Sequence, residues 1–168
     1  SVNDMRVLPN NNRLLLAHEP MPEAFQKQVK DVEIAPWWGP RKRGTEERQL
    51  SGNLYEINLE GEIVWTWKAY NHLDLNRFSP ATPEGDWLHV NSVAPLPANK
   101  WYDAGDERFR PGNILVNARN IDAMYIVDKQ TKKVVWEGTH NYKGGMAHSH
   151  EPEMIEKGLP GAGNIILF

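Results

Sequence analysis

Cysteine is absent from the chain, which excludes disulfides, thiolate metal sites and cysteine nucleophiles together. Long apolar runs are absent as well, and none approaches the ~18 residues that a membrane-spanning helix needs. The opening residues Ser1-Val2-Asn3-Asp4 lack the charged-then-apolar pattern of an export signal. The chain is therefore expected neither to span a membrane nor to carry such a signal. Positive charge is in short supply: 19 Lys and Arg stand against 22 Asp and Glu, for a formal net charge of -3. The basic cluster Arg41-Lys42-Arg43 is followed closely by Glu46 and Glu47, so nucleic acid is a poor partner. Helical periodicity is also scarce. Only EAFQKQVKDVE, residues 23–33, reads as a short helix.

What is present is a repeated grammar, in 168 residues with 40% hydrophobic and 24% charged content. That composition supports an ordinary globular core. Three stretches open with Leu-Pro, at Leu8-Pro9, Leu96-Pro97 and Leu159-Pro160, and each leads into a short apolar strand. In the first two units a second element recurs, Tyr55 through Gly61 to Trp65 and Tyr125 through Lys132 to Trp136. Alternating β-branched and aromatic residues on both sides of NLEG and DKQT are hairpin signals.

The offsets between successive Leu-Pro pairs, 88 and 63 residues, exceed a compact propeller blade of about 40 to 50 residues because each unit holds a loop excursion. The pattern predicts an all-β chain of β-propeller blades, two full blades and the start of a third, as one partial propeller domain over 1–168. Loop excursions are expected at 19–50, 68–88 and 98–111. Apolar residues Asn164 to Phe168 run straight into the C-terminus, which reads as a cut through a fold. The remaining blades then belong to the same or another chain. A small β-sandwich is the alternative architecture.

Overlaying the units on their Leu-Pro pairs makes the histidines informative. His89 lies seven residues before Leu96, and Asn91 five before it. If EKG is an insertion before Leu159, Ile155 takes the place of Leu96, His148 matches His89 and His150 matches Asn91. Equivalent strands of a propeller start near the central channel, so groups just before them converge on the axis. Arg119, in NARN, follows the strand Asn113 to Val116. A guanidinium beside imidazoles repels a cation and favours an oxyanion.

GDWLHVNSVAPLP, GNILVNARNIDAMYIVDKQTKKVVW, HEPEMIEKGLPGAGNIILF and LYEINLEGEIVWTW followed by HLD resemble the arylsulfotransferase family. The resemblance covers most of residues 52–168 and implies a six-bladed propeller acting on aryl sulfates. It implies sulfate-binding roles for His89, Asn91 and Arg119, with His72 of the HLD stretch lining the pocket. The family's nucleophilic histidine, in Gln-His-Asp, is best matched by His150, with Ser149 for Gln and Glu151 for Asp; His148 is the fallback. The family's additional upstream histidine has no firm counterpart here, and neither Ser1 nor His18 is assigned to it. The implied reaction moves a sulfuryl group from a phenolic sulfate ester to a phenol through a sulfohistidine. It uses no cofactor, no metal and no nucleotide sulfate donor; the chain has no GxxxxGK phosphate loop. The resemblance implies a periplasmic or secreted location.

Trp37, Trp38, Trp87 and Trp101, beside the excursions, pack loops or stack on an aromatic ester, whereas Trp65, Trp67 and Trp136 read as blade core. Two rival functions stand beside the transferase. One is a noncatalytic propeller that binds protein or carbohydrate. The other is a divalent-metal enzyme using His148, His150 and Glu151, which Arg119 would oppose.

Overall fold

Alternating strands joined by tight polar turns build two sheets of the same design. The computed structural model describes residues 2–30, 32–34, 41–43, 49–77, 86–139 and 145–168, the segments 32–34 and 41–43 by their backbone alone. The first sheet comprises β1 (Val2–Val7), β2 (Arg13–Pro20), β5 (Leu50–Ile57) and β6 (Ile63–Lys68), in the antiparallel order β1-β2-β5-β6. Between β2 and β5 the chain makes one helical turn, α1 (Glu23–Gln26), and a separate ribbon of β3 (Val32–Ile34) and β4 (Arg41–Arg43). The second sheet has β7 (Val90–Pro95), β8 (Ile114–Ala118), β9 (Ala123–Val127) and β10 (Val134–Gly138), again in sequential antiparallel order. A third unit contributes β11 (Glu153–Met154) and β12 (Ile165–Ile166). The chain is all-β, and its meanders fit consecutive propeller blades, without a closed ring among the described residues.

The helix expected over 23–33 is confined to residues 23–26, because the chain resumes an extended course at Val32. A helical turn that the sequence reading omitted, α2 (Lys100–Asp103), lies in the 98–111 excursion. It is capped by Asn99 Oδ1, which accepts from the backbone N–H groups of Trp101 and Tyr102.

The repeat register is visible in the hydrogen bonds. The N–H groups of Leu8, Leu96 and Ile155 donate to the carbonyls of Asn12, Asn113 and Asn164 at 2.9, 2.8 and 2.9 Å. The reverse bonds run from Asn11, Gly112 and Gly163 to the same Leu, Leu and Ile carbonyls, and all three donors have φ between 65 and 88°. Only glycine, or an asparagine that tolerates the left-handed region, suits that corner. Ile155, not Leu159, is thus the third equivalent of Leu8 and Leu96, as the EKG insertion requires.

Side chains alternate between two cores. Leu14, Leu16, Leu54 and Trp67 of the first sheet pack on Val93, Ile114, Val116, Tyr125 and Val127 of the second. The intervening residues of the second sheet, Leu115, Met124 and Ile126, face the third unit with Met154. The second sheet is therefore buried on both faces, and β8 and β9 have no exposed residue. Trp65 and Trp67 donate from their indoles to the carbonyls of Lys129 and Lys132, gripping the β9–β10 turn of the neighbouring sheet. Trp136 packs on the second core, beside Phe109.

One buried charge joins the sheets. Glu56 is 4% exposed; it accepts from Asn10 and Asn12 at 3.0 and 2.5 Å and pairs with Lys129 of the second sheet at 2.5 Å. Burial alone would raise its pKa, but Lys129 and the two amides outweigh that and hold the carboxyl below the usual glutamate range. A depressed folded pKa contributes stability above the ordinary glutamate range and loses it as pH falls through the folded value. Glu56→Gln should flatten the acid limb of stability against pH, measured by urea unfolding at stepped pH. Leu54→Ala, at a fully buried position between the sheets, should lower the unfolding free energy by about 2 to 5 kcal/mol.

Candidate active site

The site forms where the inner strands begin. Both ladders slip at the same place: between Val2 and Asp4 in the β1–β2 pair, and between Val90 and Ser92 in the β7–β8 pair. Asn3 and Asn91 are the extra residues of these bulges, which re-aim their side chains. His89 and His148, at the equivalent position of the second and third units, both have positive φ, 44 and 50°. The backbone turns over in the same way before each strand.

Asn91 is committed to a local network. Its Nδ2 donates to the Ser149 carbonyl at 2.9 Å, while its Oδ1 accepts from Ser92 Oγ at 3.1 Å and from Asn117 Nδ2 at 2.7 Å. Asn117, fully buried in β8, also donates to the Ser149 carbonyl at 2.5 Å and accepts from Ser149 Oγ at 2.9 Å. Two asparagines thus clamp Ser149, and Ser149 separates His148 from His150. Those two histidines have exposed side chains, so the clamp presents imidazoles on either side of a fixed residue. The backbone of His150 pairs with Phe168 in both directions, at 2.7 and 3.0 Å, and the His148 N–H donates to Asp122 Oδ1 at 2.9 Å.

His89 is tied to Asp86. Its Nδ1 donates to Asp86 Oδ2 and its backbone N–H to Asp86 Oδ1. Arg119 follows β8; its N–H donates to the His89 carbonyl at 3.3 Å, and its Nη1 to Asn120 Oδ1 at 3.0 Å. The structure thereby brings His89, Asn91, Arg119 and the His148–His150 segment to one end of adjacent inner strands. Glu151 turns away from His150, because its carboxylate pairs with Arg6 at 2.6 Å.

His72 stands apart. It follows β6, the outermost strand of the first sheet, and stacks on Trp67 with centroids 5.2 Å apart and planes at 7°. Burial, and then the charge of Lys132, pushes its imidazole below the ordinary histidine range. The site instead gains His18, which the Leu-Pro overlay left unassigned. Cross-strand pairing makes His18 the first-sheet counterpart of Arg119: Val2 pairs with Ala17 and Val90 with Ala118, one residue earlier in each case. The His18 ring lies edge-on to His89, centroids 5.8 Å apart, and its Nε2 donates to the Val90 carbonyl at 2.6 Å. Opposite His18 in the ladder sits Gly52, where a Cβ would come within 2.4 Å of Val90. Extending the overlay from the inner strand to its neighbour would have found His18.

Of the tryptophans, Trp87 is fully buried and donates to the Arg77 carbonyl. Trp101 is 40% exposed and donates to the Gly163 carbonyl. Trp37 and Trp38 lie outside the described residues. Among the described residues no group of three or more histidines and carboxylates is arranged to hold a metal ion, and no helix is long and apolar enough to cross a membrane.

The Arylsulfotransferase (ASST) family model matches residues 39–143, more than half of the chain. The chain belongs to the arylsulfotransferase family. Its matched span holds Asp86, His89, Asn91, Arg119 and His72; His18 and the segment His148–Glu151 fall outside it. No curated protein and no solved structure matches the chain significantly.

The Ser149 clamp yields a direct test. Asn117→Leu, which copies the Leu16 of the first sheet, removes the Asn117 bonds to Asn91 and to the Ser149 carbonyl and leaves Ser149 Oγ without that partner. Losing buried partners of this kind costs about 1 to 3 kcal/mol. Exchange of the His150 amide, bonded to Phe168, should accelerate about ten- to a hundredfold in hydrogen-exchange measurements.

Proposed function

We propose that this chain transfers a sulfuryl group from a phenolic sulfate ester to a phenol, through a sulfohistidine on His150 and without a nucleotide donor. Family membership supports aryl sulfotransfer. The observation that carries the finer reading is the Ser149 clamp, which holds His148 and His150 beside the strand ends that bear His89 and Arg119.

In the first half-reaction an imidazole nitrogen of His150 attacks sulfur. The N–S bond forms, the ester O–S bond breaks, and the phenolate leaves and takes up a proton. In the second half an acceptor phenol oxygen attacks the same sulfur, the N–S bond breaks with its electron pair returning to the ring, and the phenolic proton is lost to a base. A covalent intermediate divides one difficult transfer into two easier ones, and neutral imidazole is nucleophilic near pH 7. By analogy with phosphoryl transfer, charge in a loose transition state spreads over the equatorial and leaving oxygens. Arg119 supplies fixed positive charge there, and His89 and His18 line the same end. Asn91 contributes through the clamp, by holding the nucleophile's backbone.

The same geometry disfavours Glu151 as the partner that orients His150, since its carboxylate is taken by Arg6. His148 is the alternative nucleophile, at the position equivalent to His89. The remaining blades, from this or another chain, are taken to cover the far face of the first sheet, where Met5 and Val7 are 52% and 58% exposed.

His150→Ala should abolish turnover of 4-nitrophenyl sulfate and remove the sulfuryl adduct that rapid quenching and peptide mass spectrometry would locate on the wild-type peptide containing His150. Full turnover in that variant would sink the covalent role of His150, and an adduct on His148 would reassign it. Arg119→Ala should slow turnover on the order of a hundred- to a thousandfold, the usual loss for one preorganised donor.

A further inference from the structure

We propose that Asp86 is a positioning residue: it holds His89 as the Nδ1–H tautomer, so that His89 Nε2 takes the proton of the incoming phenol. The inference rests on the sulfotransfer reading and adds to it the identity of the base and of the group that sets it.

Asp86 lies three residues before His89 and grips it at two points. One carboxylate oxygen accepts the His89 backbone N–H at 3.2 Å, and the other accepts from the ring Nδ1. An ionised carboxylate only accepts, so Nδ1 must carry a proton, and in the neutral ring Nε2 is left with its lone pair. Nε2 has no partner among the described residues, and the His89 side chain is 36% exposed. The positive φ of His89 makes the tight turn that lets both contacts form from one carboxylate.

Asp86 is itself held from behind. Its carbonyl accepts from Asn120 Nδ2 at 2.7 Å, and it bridges to Leu50 of the first sheet. The other end of the Asn120 amide, Oδ1, accepts from Arg119 Nη1. One buried amide therefore ties the anion-binding guanidinium to the carboxylate that orients the base. On the other side His18 donates through Nε2 to the Val90 carbonyl, and so packs against His89 without competing for Asp86.

The chemistry balances in both halves. As the phenol oxygen bonds to sulfur and the His150 N–S bond breaks, the phenolic proton moves to His89 Nε2, and Asp86 compensates the imidazolium. In the first half-reaction the neutral ring has no Nε2 proton to give, so the departing phenolate takes its proton from solvent, and the proton that Nε2 gains in the second half returns to solvent before the next cycle. General acid–base groups of this kind contribute about 10²- to 10⁴-fold.

The test compares the full chain with its Asp86→Asn and Asp86→Glu variants by two readouts. Long-range ¹⁵N–¹H NMR of histidine-labelled protein should show His89 as Nδ1–H in the wild type. It should move toward Nε2–H in Asp86→Asn, whose amide can donate to Nδ1. Steady-state transfer from 4-nitrophenyl sulfate to phenol should lose about 10²- to 10⁴-fold in kcat in Asp86→Asn with KM little changed, and Asp86→Glu should recover part of it. An Nε2–H wild-type tautomer, or a folded Asp86→Asn protein with wild-type kcat, overturns the proposal. A wild-type chain that turns over no aryl sulfate overturns the sulfotransfer reading and with it the proton-transfer role. The His89 tautomer then reports separately on whether Asp86 positions the ring.

Discussion

The inner strands of this fold are edge strands, and the unpaired backbone groups they present must be satisfied by something other than a ladder partner. On β7 the exposed pair belongs to Val93, and the first sheet supplies both partners. Asp4 Oδ2 accepts the Val93 N–H and Arg6 Nε donates to its carbonyl, each at 3.0 Å. The second sheet treats the third unit likewise, since Ser92 Oγ accepts the Glu151 N–H at 3.1 Å and Asn91 donates to the Ser149 carbonyl. Side chains of one sheet thus fix the backbone of the next. Arg6 extends the chain of contacts across three units through Glu151. The relative placement of every group in the candidate site depends on these crossings.

Apolar packing supplies the affinity between sheets that polar crossings alone do not. Leu14, Leu16 and Leu54 fill one face of the second sheet, and Met154 sits on the other. Each fully buried large apolar side chain contributes about 1.5 to 3 kcal/mol of transfer free energy. A sheet buried on both faces cannot slip by one residue without turning its whole hydrophobic set around. That rigidity is what a site assembled from the ends of separate strands needs, because the Asp86 contacts and the Ser149 clamp that hold its histidines are themselves anchored to those strands.

Much of the scaffold was legible because the periodic part of the sequence is also the buried part. Leu8, Leu96 and Ile155 donate the same hydrogen bond, and NLEG and DKQT close hairpins whose first residues, Asn58 and Asp128, both turn a side-chain oxygen onto the following backbone. The site was legible less evenly. His89, Arg119 and the His148–His150 segment lie at neighbouring strand ends, with the Arg119 N–H on the His89 carbonyl and Asn91 on the Ser149 carbonyl. His72 does not, since its neighbourhood in sequence, after a Trp-closed strand, says nothing about how far that strand lies from the axis. His18 was left unassigned and Asp86 was passed over, for opposite reasons. The first occupies a second-strand position that an alignment on inner strands never compares. The second acts through a left-handed residue, and φ cannot be read from side-chain identity. The helix expected over 23–33 failed because one turn of favourable residues does not outweigh an extended continuation.

The bulge at the start of each inner strand explains how one scaffold position serves several chemistries. A bulge forfeits local pairing and in return re-aims a side chain. In the first sheet the bulged residue is Asn3, whose amide lies 3.2 Å from His18 Nδ1 and so matches a ring that donates through Nε2. In the second it is Asn91, which spends its amide on Ser149. At the equivalent position of the third unit stands His150, which carries no such duty because Asn91 and Asn117 already hold its neighbour. An imidazole placed where the other units put an orienting amide is released from structural work by the sheet beside it. The exposed ring freed in this way is the physical reason for proposing the nucleophile in the third unit rather than the first two.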